Sequence, residues 1–198
     1  MKKGLLIALG VVVLIALWVG LSFSGIYNKL VASDENVKSA WSQVENVYQR
    51  RLDLIPNLVE TVKGYAKHES ETLQNVVNAR ASISKINLTS DVVNNPEMMQ
   101  KFQESQATLS SALSRLLVVS EQYPDLKANQ NFLDLQSQLE GTENRITVER
   151  QRFNEAAQGF NTLRRSFPSI FVAGWMGLKE KAYFTADKGA EKAPQVKF

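Results

Sequence analysis

An uncharged opening stretch that runs without a break into a helical repeat limits this chain more than any other feature. Lys2 and Lys3 are followed by GLLIALGVVVLIALWVGLSFSGIY at residues 4–27, and the next charge is Lys29. Residues 5–23 supply about 19 apolar positions, close to the ~20 that a helix needs to cross ~30 Å of hydrocarbon. The apolar core of a cleaved signal peptide is shorter, ~7–15 residues. The run therefore reads as an uncleaved transmembrane anchor over residues 5–26, behind a short tail at 1–4. Trp18 and Tyr27 stand where interfacial aromatic residues belong, and Lys2 and Lys3 favour a cytoplasmic N-terminus with the remaining chain outside. Ala16, Gly20 and Ser24 recur every four residues, a small-residue ridge suited to close helix contacts in lipid.

Past the anchor, core positions alternate by three and four through Tyr27, Leu30, Asp34, Val37, Trp41, Val44, Tyr48, Arg51, Ile55, Leu58, Val62, Tyr65, Glu69, Thr72, Val76, Ala79, Ile83 and Ile86. Such spacing marks a helix that packs along its length. The register crosses Pro56 undisturbed, which predicts one long helix, kinked at Pro56, as far as residue 86. Residues 87–97, dense in Asn, Ser, Thr and Asp, interrupt it. A second helix is predicted over 97–122, a turn at 123–129 stopped by Pro124, and a third helix over 130–165 ended by Pro168. Residues 167–184 form an apolar segment that packs on the bundle, lies on a membrane or meets another subunit; a polar tail follows at 185–198. The expected fold is all-α: the anchor, then an elongated antiparallel bundle of three to four long helices over 27–166.

At 1.5 Å per residue the three helices would measure about 90, 40 and 55 Å. Two short helices cannot cover the long one, so the apolar stripe of Val37, Trp41, Val44 and Tyr48 would lie bare. Stripes of that kind are covered in native proteins. The sequence thus predicts a turn near Pro56 that makes a four-helix bundle, or cover from the C-terminal segment or from other copies in a homo-oligomer.

Charge and residue types exclude several functions. Setting aside Lys2 and Lys3 leaves 21 basic against 20 acidic residues, with no clustered basic face for nucleic acid. Without cysteine there is neither a disulfide nor a thiolate metal site. A di-iron site in a bundle needs two Glu-x-x-His pairs, whereas the single histidine, His68, has Tyr65 three residues before it. His68-Glu69 lacks the second histidine of a zinc protease helix. Gly174 and Gly177 lie in an apolar stretch without the pattern of a phosphate loop. No catalytic residue, cofactor, metal or small-molecule substrate is indicated.

Two residues in YQRRLDLIPNLVETVKGY, residues 48–65, need a physical reason. Pro56 cannot donate a backbone hydrogen bond, and its ring crowds the carbonyl of Leu52. Arg51 at a core position is costly unless paired. Either it meets Glu143 or Glu149 in a polar layer that fixes helix register, or its stem covers apolar surface while its head reaches water.

Several separated motifs in order resemble the LemA family. They are YNKLV at 27–31, Trp41, VYQRRLDLIPNLVETVKGYAKHE at 47–69, AR at 79–80, YPDLKANQNFLDLQSQLEGTENRI at 123–146, RFNEA at 152–156, FN at 160–161 and FP at 167–168. The residues that carry the signature are Tyr27, Asn28, Trp41, Arg50, Arg51, Pro56, Asn57, Arg80, Glu143, Asn144, Glu149, Phe167 and Pro168. The resemblance implies a bacterial inner-membrane protein with one N-terminal anchor, an extracytoplasmic helical bundle and no established enzymatic activity. The expected role is a self-assembling scaffold in membrane or envelope organisation. The alternative is a regulatory or adaptor subunit of a membrane enzyme such as a protease.

Overall fold

The computed structural model describes residues 2–85 and 92–185, except for the side chains of residues 2, 3, 5–8, 15, 16 and 19. Among the described residues all regular structure is helical: α1 (Lys2–Tyr65), α2 (Ser70–Ser84), α3 (Pro96–Ser120), the single turn α4 (Pro124–Lys127), α5 (Gln130–Arg165) and α6 (Ser169–Trp175). α1 is one helix of 64 residues, about 96 Å long, and Pro56 lies inside it.

The chain reverses at Ala66–Glu69, ten residues beyond Pro56, and this corrects the reading of one helix to residue 86. The turn is closed by Ala66 N–H to the Val62 carbonyl (2.8 Å) and Glu69 N–H to the Ala66 carbonyl (3.1 Å). The reversal also shifts the repeat. Ala66 and Leu73 are buried where the repeat predicts Tyr65 and Thr72, and Tyr65 is exposed instead. α2 then runs antiparallel to α1, with Arg80 returning beside Leu52.

The later boundaries fall where the sequence places them, for local reasons. Asn95 caps α3 by accepting from the N–H groups of Glu97 and Met98, and Pro96 follows it. Proline is pre-set for the first helical position, where its missing N–H costs nothing. Asn129 caps α5 by accepting from Phe132 N–H. The four main helices, α1, α2, α3 and α5, run up, down, up and down. Leu52, Ile55, Leu58 and Val62 of α1 meet Val76, Leu109, Leu116 and Phe132 from the other three in a distal core.

A second core lies nearer the N-terminus, and there α2 no longer takes part. Val37, Trp41, Val44 and Tyr48 are buried by Phe102 of α3, Ile146, Phe153 and Phe160 of α5, and Ala182 and Phe184 of the C-terminal segment. Trp41 is its centre, with ring centroids of Phe153, Phe102 and Phe184 at 5.3, 5.8 and 6.0 Å. The stripe is therefore covered within one chain, with the C-terminal segment, one of the expected covers, taking part. At the near end, Leu30 meets Val172 and Ala173 of α6 in a small third cluster. Gly177, at φ +67°, ends α6 in the left-handed conformation that glycine adopts without penalty, and Leu178 N–H returns to the Ala173 carbonyl at 3.0 Å. The chain leaves this cap extended and runs back along the bundle through residues 178–185.

Among the described residues no helix is long and apolar enough to cross a membrane. The anchor expected at 5–26 includes residues 5–8, 15, 16 and 19, whose side chains lie outside the described set, as does most of the tail at 185–198.

Candidate functional site

Two polar constellations stand out against the apolar cores. The first surrounds the motif at 48–65. Arg51 is buried, its side chain only 6% exposed, with Nη1 at 3.2 Å from Glu143 Oε2 of α5, itself 53% exposed. Its Nη2 donates to Ser110 Oγ of α3 at 2.6 Å. One guanidinium thus ties α1 to two other helices at one level, while its acid remains open to water. Glu149, the other candidate carboxylate, pairs with Arg152 at 2.8 Å. At the next residue of α1, the Leu52 carbonyl accepts from Arg80 Nε of α2 at 3.0 Å.

The second constellation holds the extended C-terminal segment in a groove between α1, α3 and α5. Asn161 is fully buried and uses its amide on both sides. Its Nδ2 donates to the Lys181 carbonyl (2.9 Å) and to Tyr183 Oη (2.9 Å), and its Oδ1 accepts from Lys181 N–H (2.8 Å). Two turns earlier, Asn154 repeats the grip on Phe184: Nδ2 to its carbonyl and Oδ1 from its N–H, both 2.9 Å. Residues seven apart face one way on a helix, so α5 presents a row of amides to an extended backbone. Arg164 Nε reaches the Leu178 carbonyl (2.7 Å), and Arg150 Nη2 reaches the Thr185 carbonyl (3.1 Å). From the opposite side, Ala182 N–H bonds to the Val93 carbonyl at 2.8 Å.

Lys181 is the node of this groove. Its Nζ lies 2.6 Å from Asp34 of α1, donates to Asn94 Oδ1 at 2.9 Å and sits 4.8 Å from the Phe160 ring centre. Burial opposes the charge of Asp34, but the hydrogen bonds and charges of Lys181 and Lys38 outweigh it and hold its carboxyl below the usual range. Asp34 is visible in the sequence as a polar residue in the core repeat. Lys181 escapes the sequence reading, and Asn154 and Asn161 lie in the motifs RFNEA and FN without their role being legible there. Their signal is an amide at two-turn spacing on the buried face of a helix.

The remaining signature residues are dispersed. Trp41 centres the aromatic core, Tyr27 is partly exposed, and Asn28, Arg50, Asn57 and Asn144 are exposed. Phe167 and Pro168 lie at the α5–α6 corner, joined by a cis peptide. Gly20 and Ser24 are exposed one turn apart, and Ser24 Oγ donates to the Gly20 carbonyl at 3.1 Å; the Ala16 side chain lies outside the described set. Among the described residues no three His, Asp or Glu side chains converge as metal ligands.

Apart from Asp34, both constellations are built on matched sequence. A model of the LemA family matches residues 40–198. The chain is 26% identical over 168 residues to Protein LemA of Metamycoplasma hominis, spanning 84% of this chain and 72% of that protein. It is 24% identical over 186 residues to Magnetosome protein MamQ 2 of Paramagnetospirillum magneticum, spanning 86% of this chain and 68% of that one. Magnetosome protein MamQ of Magnetospirillum gryphiswaldense is 24% identical over 174 residues, spanning 80% and 64%. Since the match takes in the distal core, the Arg51 layer and the α5 side of the groove, this chain belongs to the LemA family.

Proposed function

We propose that this protein is a non-enzymatic helical scaffold anchored in the bacterial inner membrane by residues 5–26, with its N-terminus cytoplasmic and its bundle outside. One observation carries the reading. The apolar run and the bundle's central strut belong to the same unbroken helix, α1, so the bundle has no flexible tether and its orientation follows that of the anchor. A polar layer and a backbone-gripping groove then stiffen the rod at two levels. The LemA family is not a known enzyme family, and the buried polar groups at Arg51, Asn161 and Lys181 are engaged with the chain itself. The scaffold assembles as a homo-oligomer through its anchor, where Gly20 and Ser24 offer a narrow helix surface.

The second reading is a regulatory or adaptor subunit of a membrane enzyme such as a protease. It is favoured by the cover that α5 and residues 178–184 give to the stripe at 37–48, which removes one reason for copies of the chain to meet through their bundles. The mass of the full-length protein in mild detergent, by light scattering beside a chain starting at Tyr27, separates the two. A discrete oligomer of the full-length form alone supports assembly through the anchor. Monomers in both forms sink self-assembly and leave the subunit of a different membrane partner.

A further inference from the structure

The most exposed aromatic side chains of the folded region gather at one corner. α6 turns Ser169, Val172 and Ala173 inward, the latter two against Leu30. It leaves Phe171 and Trp175 70% and 72% exposed and Ile170 half exposed, and Phe167, in the turn just before it, is 83% exposed. Phe171 and Trp175 are four apart, the spacing that stacks side chains on one helical face, and the Phe167 ring, from the turn before α6, meets that of Phe171 edge to face at 6.1 Å. Scattered apolar side chains on a surface need no explanation, but a contiguous patch of this size marks a contact.

Its position names the partner. The Trp175 ring packs edge-on against Phe23, centroids 5.7 Å apart, and Phe23 is the last residue of the apolar run that begins at Leu5. α6 therefore lies alongside the part of α1 between Phe23 and Leu30, about 10 Å of helix axis. A helix leaving the hydrocarbon crosses the headgroup layer over such a length. Exposed Leu14, Leu17, Trp18 and Leu21 continue the apolar surface on the N-terminal side. Exposed Lys29, Arg165 and Lys179 flank it in sequence on the other side.

We propose that α6 is a second membrane contact: Phe167, Ile170, Phe171 and Trp175 insert into the headgroup–acyl boundary of the bilayer that holds residues 5–26. This rests on the membrane-anchored reading above. Aromatic side chains are favoured at that depth. A second foothold beside the anchor fixes the tilt and rotation of the long α1 rod, which hydrophobic length alone leaves free.

The chain lacks cysteine, so single cysteines report one position each without background. Phe171→Cys, Leu14→Cys and Val118→Cys, all at exposed sites, are spin-labelled in the full chain. Each is reconstituted in vesicles of phosphatidylethanolamine and phosphatidylglycerol, its helicity checked by circular dichroism. Collision rates with oxygen and with a water-soluble nickel chelate give the depth. The expected result is Val118 in water, Leu14 deep, and Phe171 between them, with oxygen collisions exceeding nickel collisions severalfold. Leu14 deep with Phe171 as wet as Val118 overturns the α6 contact and leaves the anchor standing. Leu14 in water overturns the anchor and the contact together. Collisions lost with both oxygen and nickel at Phe171 show a second copy covering the patch, and also overturn the lipid contact.

Discussion

Arg80 Nε donates to the carbonyl of Leu52, which is the carbonyl that Pro56 deprives of its helical partner. In an unbroken helix the N–H of residue 56 would bond to the carbonyl of residue 52, and proline has no N–H to give. The guanidinium of the neighbouring helix supplies the missing donor, so α1 continues through its proline while α2 is pinned against it. Arg80→Met should cost about 1.5–3 kcal/mol, the range for hydrogen bonds to charged groups. In a Pro56→Ala background, where the new residue restores the backbone donor, the same change should cost at least ~1 kcal/mol less. A thermodynamic cycle from urea unfolding measures this coupling. Additive costs would show that the two residues act independently.

Gln106 is 5% exposed on α3, one turn before Ser110, and neither its Nε2 nor its Oε1 has a hydrogen-bond partner among the described residues. A buried amide left in this state costs ~1–3 kcal/mol, and replacing it by an apolar group of like shape removes that cost. Gln106→Met should therefore raise the unfolding free energy by about 1 kcal/mol and leave the helix content unchanged. A fall in stability would mean that the amide serves an interaction that methionine cannot provide.

Local signals make much of this fold readable. The Asn95-Pro96 and Asn129 caps bring their own donors and acceptors, so the limits of α3 and α5 follow from a few neighbouring residues. The repeat from Leu30 to Val62 is carried by side chains every three or four residues and predicts the buried face of α1. The Arg51–Glu143 pair is one of two possibilities in the sequence, because Glu143 and Glu149 lie on the same long helix and only the register between helices separates them. The reversal at Ala66–Glu69 is hidden because it has no proline, and the nearby Gly64 alone is tolerated inside helices. Pro56 draws attention to the wrong place because its lost bond is replaced from a distance, by Arg80. The groove is least visible. It joins Asn154 and Asn161 to the backbone of residues 30 and 20 positions later, and extended chain held by side-chain amides has no periodicity of its own.

The Asp34–Lys181 contact predicts a specific acid sensitivity. The Asp34 carboxyl is held below its ordinary value near 3.8 in the folded protein. The folded state thus binds its proton less readily than the unfolded chain, and stability gained from the pair is present above that value and lost as pH falls through the folded one. Asp34→Asn should lower the melting temperature at pH 7, and the gap from the unaltered protein should close as pH falls below ~4. A gap that stays constant down to pH ~2 would show that the substitution acts through packing rather than through charge.

Asn161 offers the sharpest test of the groove, because an isosteric change reverses one half of its grip. Asn161→Asp keeps the oxygen that accepts from Lys181 N–H but sets a second oxygen against the Lys181 carbonyl, where Nδ2 now donates. A buried group left without its partner costs ~1–3 kcal/mol, and more when it is charged, so a loss of at least ~2 kcal/mol is expected. Asn154→Asp alters the same pattern at a half-buried site, where water can reach the new oxygen, and should cost less. Hydrogen exchange separates release of the segment from general destabilisation. In Asn161→Asp the amides of Lys181, Ala182 and Phe184 should lose protection well before those of Leu58 or Leu116, which belong to the distal core. Equal loss at all of these amides would mean that residues 178–185 unfold only with the whole bundle, and that the groove has no independent hold on them.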